Sequence, residues 1–211
     1  IAVGDTQEIV LGCVIGQGSN RLSSIEVLRF YDQEAQQAYD LGFQVPSPPP
    51  APIITVSELD RKVLVQWDNT PENFESSYEF EGYNVYIGSS GAGPWKRLAT
   101  FDILNDLDVI LQSTYDINTG LILNMPAAYG NNLGLKYRYL FDKDYNDFTM
   151  ANGRPYYILV TSYAYDPLSL PNVLESSYNV MTVTPHQARP GVEYSHDAYS
   201  EVAVQHTTGE A

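Results

Sequence analysis

Several groups of residues in this chain have the types and spacing to do chemistry. The run Asp142-Lys143-Asp144-Tyr145-Asn146-Asp147 sets oxygen-bearing side chains at alternate positions, Asp142, Asp144 and Asn146. A calcium loop presents its hard ligands in that way. Against calcium, the sixth position is Asp147 rather than glycine, and the twelfth, Gly153, offers no bidentate carboxylate. A solvated acidic loop is the competing reading. Asp102, Asp106 and Asp108 form a second acidic group with the same two readings. His186, His196 and His206 stand ten residues apart, a spacing that no helix or strand period brings onto one face. They are expected in solvent. Tyr78, Phe80, Tyr83 and Tyr86 would make a sugar-stacking face if turned outward. Ordinary strand packing, with Tyr83 inward, accounts for them as well, because amphipathic aromatics are normal on half-buried strands.

The patterns of the common enzymes are missing. No Gly-x-Ser-x-Gly elbow occurs. Gly16-Gln17-Gly18 lacks the third glycine of a dinucleotide fingerprint and precedes no βαβ unit. Carboxylates are plentiful, yet no spacing sets two of them across a cleft. The expectation is therefore a protein that is not an enzyme, with no catalytic or cofactor-binding residues and calcium as the one cofactor considered. With 11 Lys+Arg against 26 Asp+Glu, the net charge of −15 would repel a phosphate backbone, so nucleic acid is excluded as a partner. Cys13 is the single cysteine, which rules out an internal disulfide. No apolar run reaches the ~18 residues of a membrane span.

The elements that must position these residues are mostly strands. Ile9, Leu11 and Cys13 alternate with Val10, Gly12 and Val14, so residues 1–15 read as a strand apolar on both faces. Residues 23–41 read as a helix, with Ser23 and Glu26 at capping-box spacing and Gly42 as the left-handed cap. Five prolines between Pro46 and Pro52 make 44–52 a semi-rigid linker. Strands follow at Ile53–Val56, Lys62–Trp67, Gly82–Ile87, Trp95–Phe101, Lys136–Phe141, Tyr156–Tyr165 and Tyr178–Val183. Asp116–Gly120 turns a hairpin between Ser113–Asp116 and Leu121–Asn124. The acidic run Asp68, Glu72, Glu75, Glu79 and Glu81 is expected to keep a loop solvated. Glu201–Gln205, with Val202 and Val204, reads as one more strand in a tail. Many short strands separated by turn signals indicate a mainly β protein, an antiparallel sandwich.

The stretch from Pro52 to Pro185 resembles a fibronectin type III domain. The residues that carry the resemblance are Pro52 before the first strand, Trp67 on the second, Gly82-Tyr83-Asn84-Val85-Tyr86 on the third and Tyr156–Ala164 on the penultimate. The resemblance implies a core built on Trp67, with Tyr83 and Val160 beside it and Tyr156 anchoring a corner. The chain departs from the family in the long stretch Ile103–Met150. The flanks look like the end of a preceding domain and the start of a following one. The relatives implied are very long secreted or cell-surface bacterial proteins, often exported by type IX secretion.

The expected organisation is an N-terminal strand and helix (1–43), a linker (44–52), a fibronectin type III-like sandwich (53–185) and a tail (186–211). The expected function is a structural or adhesive extracellular module that self-associates or contacts neighbouring domains of the same surface protein. Ile9, Leu11, Cys13, Val14, Val202 and Val204 are the candidates for assembly by strand exchange. The alternative is a carbohydrate-binding or spacer module of a secreted hydrolase, with glycans as partners.

Overall fold

A computed structural model describes residues 9–44, 46–188 and 191. The helix, α1 (Arg21–Asp40), starts two residues earlier than the sequence reading placed it. The reason is a better cap. The Asn20 side chain accepts from the amides of Leu22 and Ser23, while the Ser23 hydroxyl accepts from the Asn20 amide. Ser23 is thus the third helical residue of a capping box, not its first. At the other end the Gly42 amide donates to the Tyr39 carbonyl and the Phe43 amide to the Ala38 carbonyl. These two bonds, with Gly42 at φ 61°, make a Schellman motif.

Ten strands follow. A three-stranded antiparallel sheet has the order β1 (Ile54–Leu59), β2 (Lys62–Trp67), β7 (Arg138–Phe141). The larger sheet runs from β4 (Trp95–Asp102) through β3 (Glu79–Gly88) to β8 (Tyr156–Tyr165). Both β9 (Val173–Glu175) and β10 (Met181–Val183) then pair with β8, at its opposite ends. β5 (Val109–Asp116) and β6 (Leu121–Tyr129) form a separate hairpin, longer at both legs than the sequence suggested. The protein is mainly β and consistent with a sandwich.

Alternation sets the core. Val63, Val65 and Trp67 from β2 meet Tyr83, Val85 and Ile87 from β3 and Tyr156, Ile158 and Val160 from β8 in one buried cluster. Trp67 lies 5.8 Å from the Tyr83 ring and 6.1 Å from Phe101, and its Nε1 is buried with no acceptor among the described residues. The Tyr156 hydroxyl accepts from the Ala151 amide at 2.7 Å and ties the loop before β8 to the strand. Leu159, Thr161 and Tyr163 point to the other face of β8 and are buried as well. The hairpin covers Tyr163, on which its Ile110 and Ala128 pack, while the Thr161 hydroxyl donates to Glu175. Helix α1 lies on β6 in turn, with Tyr31 against Tyr115. The chain leading into α1 is clasped to the hairpin, where the Tyr115 hydroxyl donates to the Gln17 carbonyl. The proline run is docked too, since the Ser162 hydroxyl donates to the Pro50 carbonyl.

One expected element is different. Residues 9–16 form no strand, and Ile9, Leu11 and Ile15 are 79%, 89% and 83% exposed. A strand exists through its ladder partners, and none of the described strands lies beside this segment. The chain instead turns onto α1 at Gly16, where a Cβ would stand 2.4 Å from the Leu28 amide nitrogen. Cys13 is exposed and Val14 half-buried. Val202 and Val204, with the rest of the expected tail strand, lie outside the described residues.

Candidate functional site

A polar cleft of about 70 Å³ opens at one end of the larger sheet, where β3 ends and β8 begins. Its walls include Gly88, Ser89, Asp144, Asn146, Arg154 and Tyr157. The loop 142–150 holds its shape through Asp144. One Asp144 carboxylate oxygen accepts from the amides of Asn146 and Phe148, and the Asp144 amide donates to the Phe148 carbonyl. The Met150 side chain is fully buried and anchors the far end of the loop in the core. Across the cleft, the Arg154 guanidinium stands 4.0 Å from the other Asp144 oxygen and lies over the Tyr156 ring. Asp147 is bound by Lys96 of β4 at 2.7 Å. The Lys96 hydrogen bond and charge hold the Asp147 carboxyl below its usual range.

This geometry bears on calcium. Asp144 is turned to its own loop, where it accepts from the Asn146 amide, and the Met150 amide donates to the Asp142 carbonyl. Among the described residues, no three His, Cys, Asp or Glu side chains converge where a metal could sit.

An aromatic ledge borders the cleft on the outer face of the larger sheet. The Tyr178 ring lies 6.1 Å from Tyr86 and 6.4 Å, edge-on, from Trp95. Trp95 and Tyr157 flank Gly88 from either side in the ladder. A Cβ on Gly88 would stand 2.6 Å from the Trp95 ring, and one on Gly93 3.0 Å from it, so both glycines make room for the indole. Beneath the ledge, one Glu175 oxygen accepts from Asn84 and Tyr86, at 3.3 and 2.8 Å, and from Thr161. Burial and the Glu175 charge push the Tyr86 phenol far above its ordinary value. Of the aromatic face considered from sequence, Tyr78 and Tyr83 are fully buried and Phe80 packs against the core, so only Tyr86 reaches the ledge. Trp95, Tyr157 and Tyr178 were missed. A glycine-rich turn ending in tryptophan, Gly88 to Trp95, was the available signal.

The second acidic group is structural. Asp102 is fully buried at the end of β4, and both its oxygens accept from the Asn131 and Asn132 amides at 3.0–3.2 Å. Asp108 accepts from the Asn132 side-chain amide. Asp106 donates its backbone amide to the Asn132 side chain. N–H donors reach both Asp102 oxygens, so this carboxylate is engaged by the Asn131–Asn132 backbone. The acidic run is corrected as well: Glu81 is only 3% exposed, because a bulge between Phe80 and Gly82 turns it into this node. Both its oxygens accept from the Asn105 amide. Burial pushes the Glu81 carboxyl up, and the Asp102 and Glu79 charges add to this. Glu72 and Asp68 are also engaged, by the Tyr83 hydroxyl and the Ile53 amide. His186 stands 3.6 Å from Glu58, while His196 and His206 lie outside the described residues.

Comparison of the sequence with protein-family models and with curated proteins finds no match. Among the described residues, no helix is long and apolar enough to cross a membrane.

Proposed function

We propose that this chain is a fibronectin type III-like module of a large secreted or cell-surface bacterial protein, of the type IX secretion-associated kind. Its role is structural or adhesive rather than catalytic, and copies join by strand addition. Support for the module comes from the strand order, three strands against β4-β3-β8 with β9 and β10 on the far edge, and from Trp67 and Tyr156 in the core.

The observation that carries the assembly reading is the exposed segment 9–15. It has an apolar residue at nearly every position and no ladder, while β1 stands at an edge of its sheet. Strand addition would supply each with backbone bonds. Successive head-to-tail contacts that do not close give filaments. Sedimentation and electron microscopy of the chain test this, compared with a variant carrying Leu11→Lys and Ile15→Lys. Concentration-dependent polymers that the double variant abolishes are expected. A chain that stays monomeric at millimolar concentration overturns the assembly reading.

A further inference from the structure

We propose that the aromatic ledge Trp95–Tyr157–Tyr178, together with the adjoining cleft of Ser89, Asp144, Asn146 and Arg154, binds an uncharged oligosaccharide. This deepens the adhesive part of the function proposed above and is independent of strand addition.

Three observations converge on that ligand. The first is the seating of Trp95. Two glycines are placed so that one indole can lie on the turn 88–94, half-buried at the sheet end. Burial in the sandwich core would have stabilised the fold more than this position does. Tyr178 is 49% exposed beside it and presents a second ring. Aromatic faces at a wet boundary suit ligands with one apolar face and a polar perimeter. A pyranose ring is such a ligand, with axial C–H groups on one face and hydroxyls around the rim.

The second observation is the cleft. Where the ledge ends at Tyr157 and Gly88, the surface turns concave and polar. A few convergent polar groups beside an apolar platform are the usual anatomy of a small-molecule site. Hydroxyl, carboxylate, amide and guanidinium groups line it, so it offers donors and acceptors to successive hydroxyls. The 4.0 Å gap between Arg154 and Asp144 is too wide for a direct hydrogen bond, and one hydroxyl can bridge it.

The third is charge. Arg154 faces Asp144, and Lys96 is paired with Asp147, so these charges cancel locally. Glu175 beneath the ledge leaves the surface negative, as is the chain at −15. Anionic glycans and nucleic acids are disfavoured on both counts. A proline-rich peptide also packs on aromatic ledges. It has no use for the polar cleft, which is why the hydroxyl-rich ligand is preferred.

The chain reports on the site itself. It has two tryptophans, of which Trp67 is 5% exposed in the core and Trp95 is on the ledge. Tryptophan emission is followed while cellohexaose, laminarihexaose or mannohexaose is added, and affinities are checked by calorimetry. At least one of these is expected to bind and shift the emission. Trp95→Ala and Tyr178→Ala should each weaken that binding by about tenfold or more, as loss of a stacking anchor does. Tyr39→Ala, on the exposed face of α1, should leave it unchanged. Tyr178→Ala removes a half-exposed side chain, so the test stands even if Trp95→Ala fails to fold. The proposal is overturned by no binding of any of the three, by unchanged affinity in both ledge variants, or by tighter binding of polygalacturonate. Tighter binding of a peptide copying residues 44–52 overturns it too, and makes the ledge a peptide site. Sedimentation reads strand addition separately, so each idea can fail alone.

Discussion

Replacing Asp102 with alanine should release the β5–β6 hairpin from the sandwich. Asp102 closes β4, and the two amides it binds, Asn131 and Asn132, follow the last strand of the hairpin. Its carboxylate is fully buried and has no Lys or Arg ion pair among the described residues. Removing it strands two backbone donors. A buried donor without a partner costs about 1–3 kcal/mol, so the pair costs about 2–6 kcal/mol. Loss of a negative charge near Glu81 offsets a part of this, because Asp102 is among the groups that raise the Glu81 carboxyl. A net loss of about 3 kcal/mol is expected from the chemical denaturation midpoint, a large share of a domain's usual ~5–15 kcal/mol. Gly130 offers an independent check. A Cβ there would stand 2.2 Å from an Asp102 oxygen and 2.4 Å from the Leu107 carbonyl. Gly130→Ala should destabilise by a similar amount, and the double variant should lose less than the sum, because one clash disappears with the carboxylate. Native-state hydrogen exchange should show the β5–β6 amides opening before those of β3 and β8. A midpoint change under about 0.5 kcal/mol for Asp102→Ala, with unaltered exchange in the hairpin, refutes the latch.

Other outcomes follow from the same contacts. Trp67→Ala should cost about 3–5 kcal/mol in denaturation, the usual penalty for emptying a buried aromatic site; a loss under about 1 kcal/mol would mean the site collapses to fill the gap. Tyr156→Phe should cost about 1 kcal/mol by freeing the Ala151 amide, whereas Tyr163→Phe should be neutral or stabilising, because that hydroxyl is buried with no partner among the described residues. Glu81 gives a pH signature. Its folded pKa lies above the ordinary 4.5, so the folded state holds the proton more tightly than the unfolded chain does. Its contribution is therefore fully present below about pH 4.5 and is lost as pH rises through the folded value. Glu81→Gln should flatten that part of the stability–pH curve and raise stability at pH 7; an unchanged slope would place the proton elsewhere.

The sequence reading located the strands that alternate and missed what depends on distant contacts. Tyr156–Tyr165 and Lys62–Trp67 were legible because period-two patterning is a local signal, and both were placed to the residue. β9 is three residues long and exists only because Tyr163–Tyr165 offers it a ladder, so no local pattern marked it. Ile9–Val14 failed for the opposite reason, since its two-sided apolar pattern is strong and no partner strand lies beside it among the described residues. Asp102 and Glu81 were read as surface acids because composition cannot reveal that an inserted hairpin will cover them. The ledge was partly legible in its glycines, but Tyr178 reaches Trp95 from a loop more than eighty positions away.

The seams between loops, edges and sheets are where much of the tyrosine excess, 17 Tyr against 7 Phe, is used. A sandwich with one wet face per sheet needs apolar residues only inward. Here the outer face of β8 is covered as well, and α1 covers the hairpin in turn. The added interfaces join loops and edges, where backbone carbonyls and carboxylates need donors. A tyrosine ring fills such a seam and its hydroxyl supplies the bond. Tyr78 donates to the Pro171 carbonyl, Tyr83 to Glu72, Tyr86 to Glu175 and Tyr115 to the Gln17 carbonyl. Each of those bonds spans at least eleven residues of chain and fixes a loop or an edge to the sheets. Phenylalanine in the same places would bury as much apolar area and lose these bonds. The tyrosines thus serve the seams where loops and edges meet the sheets, and the hairpin adds one more such seam, beside the buried Asp102.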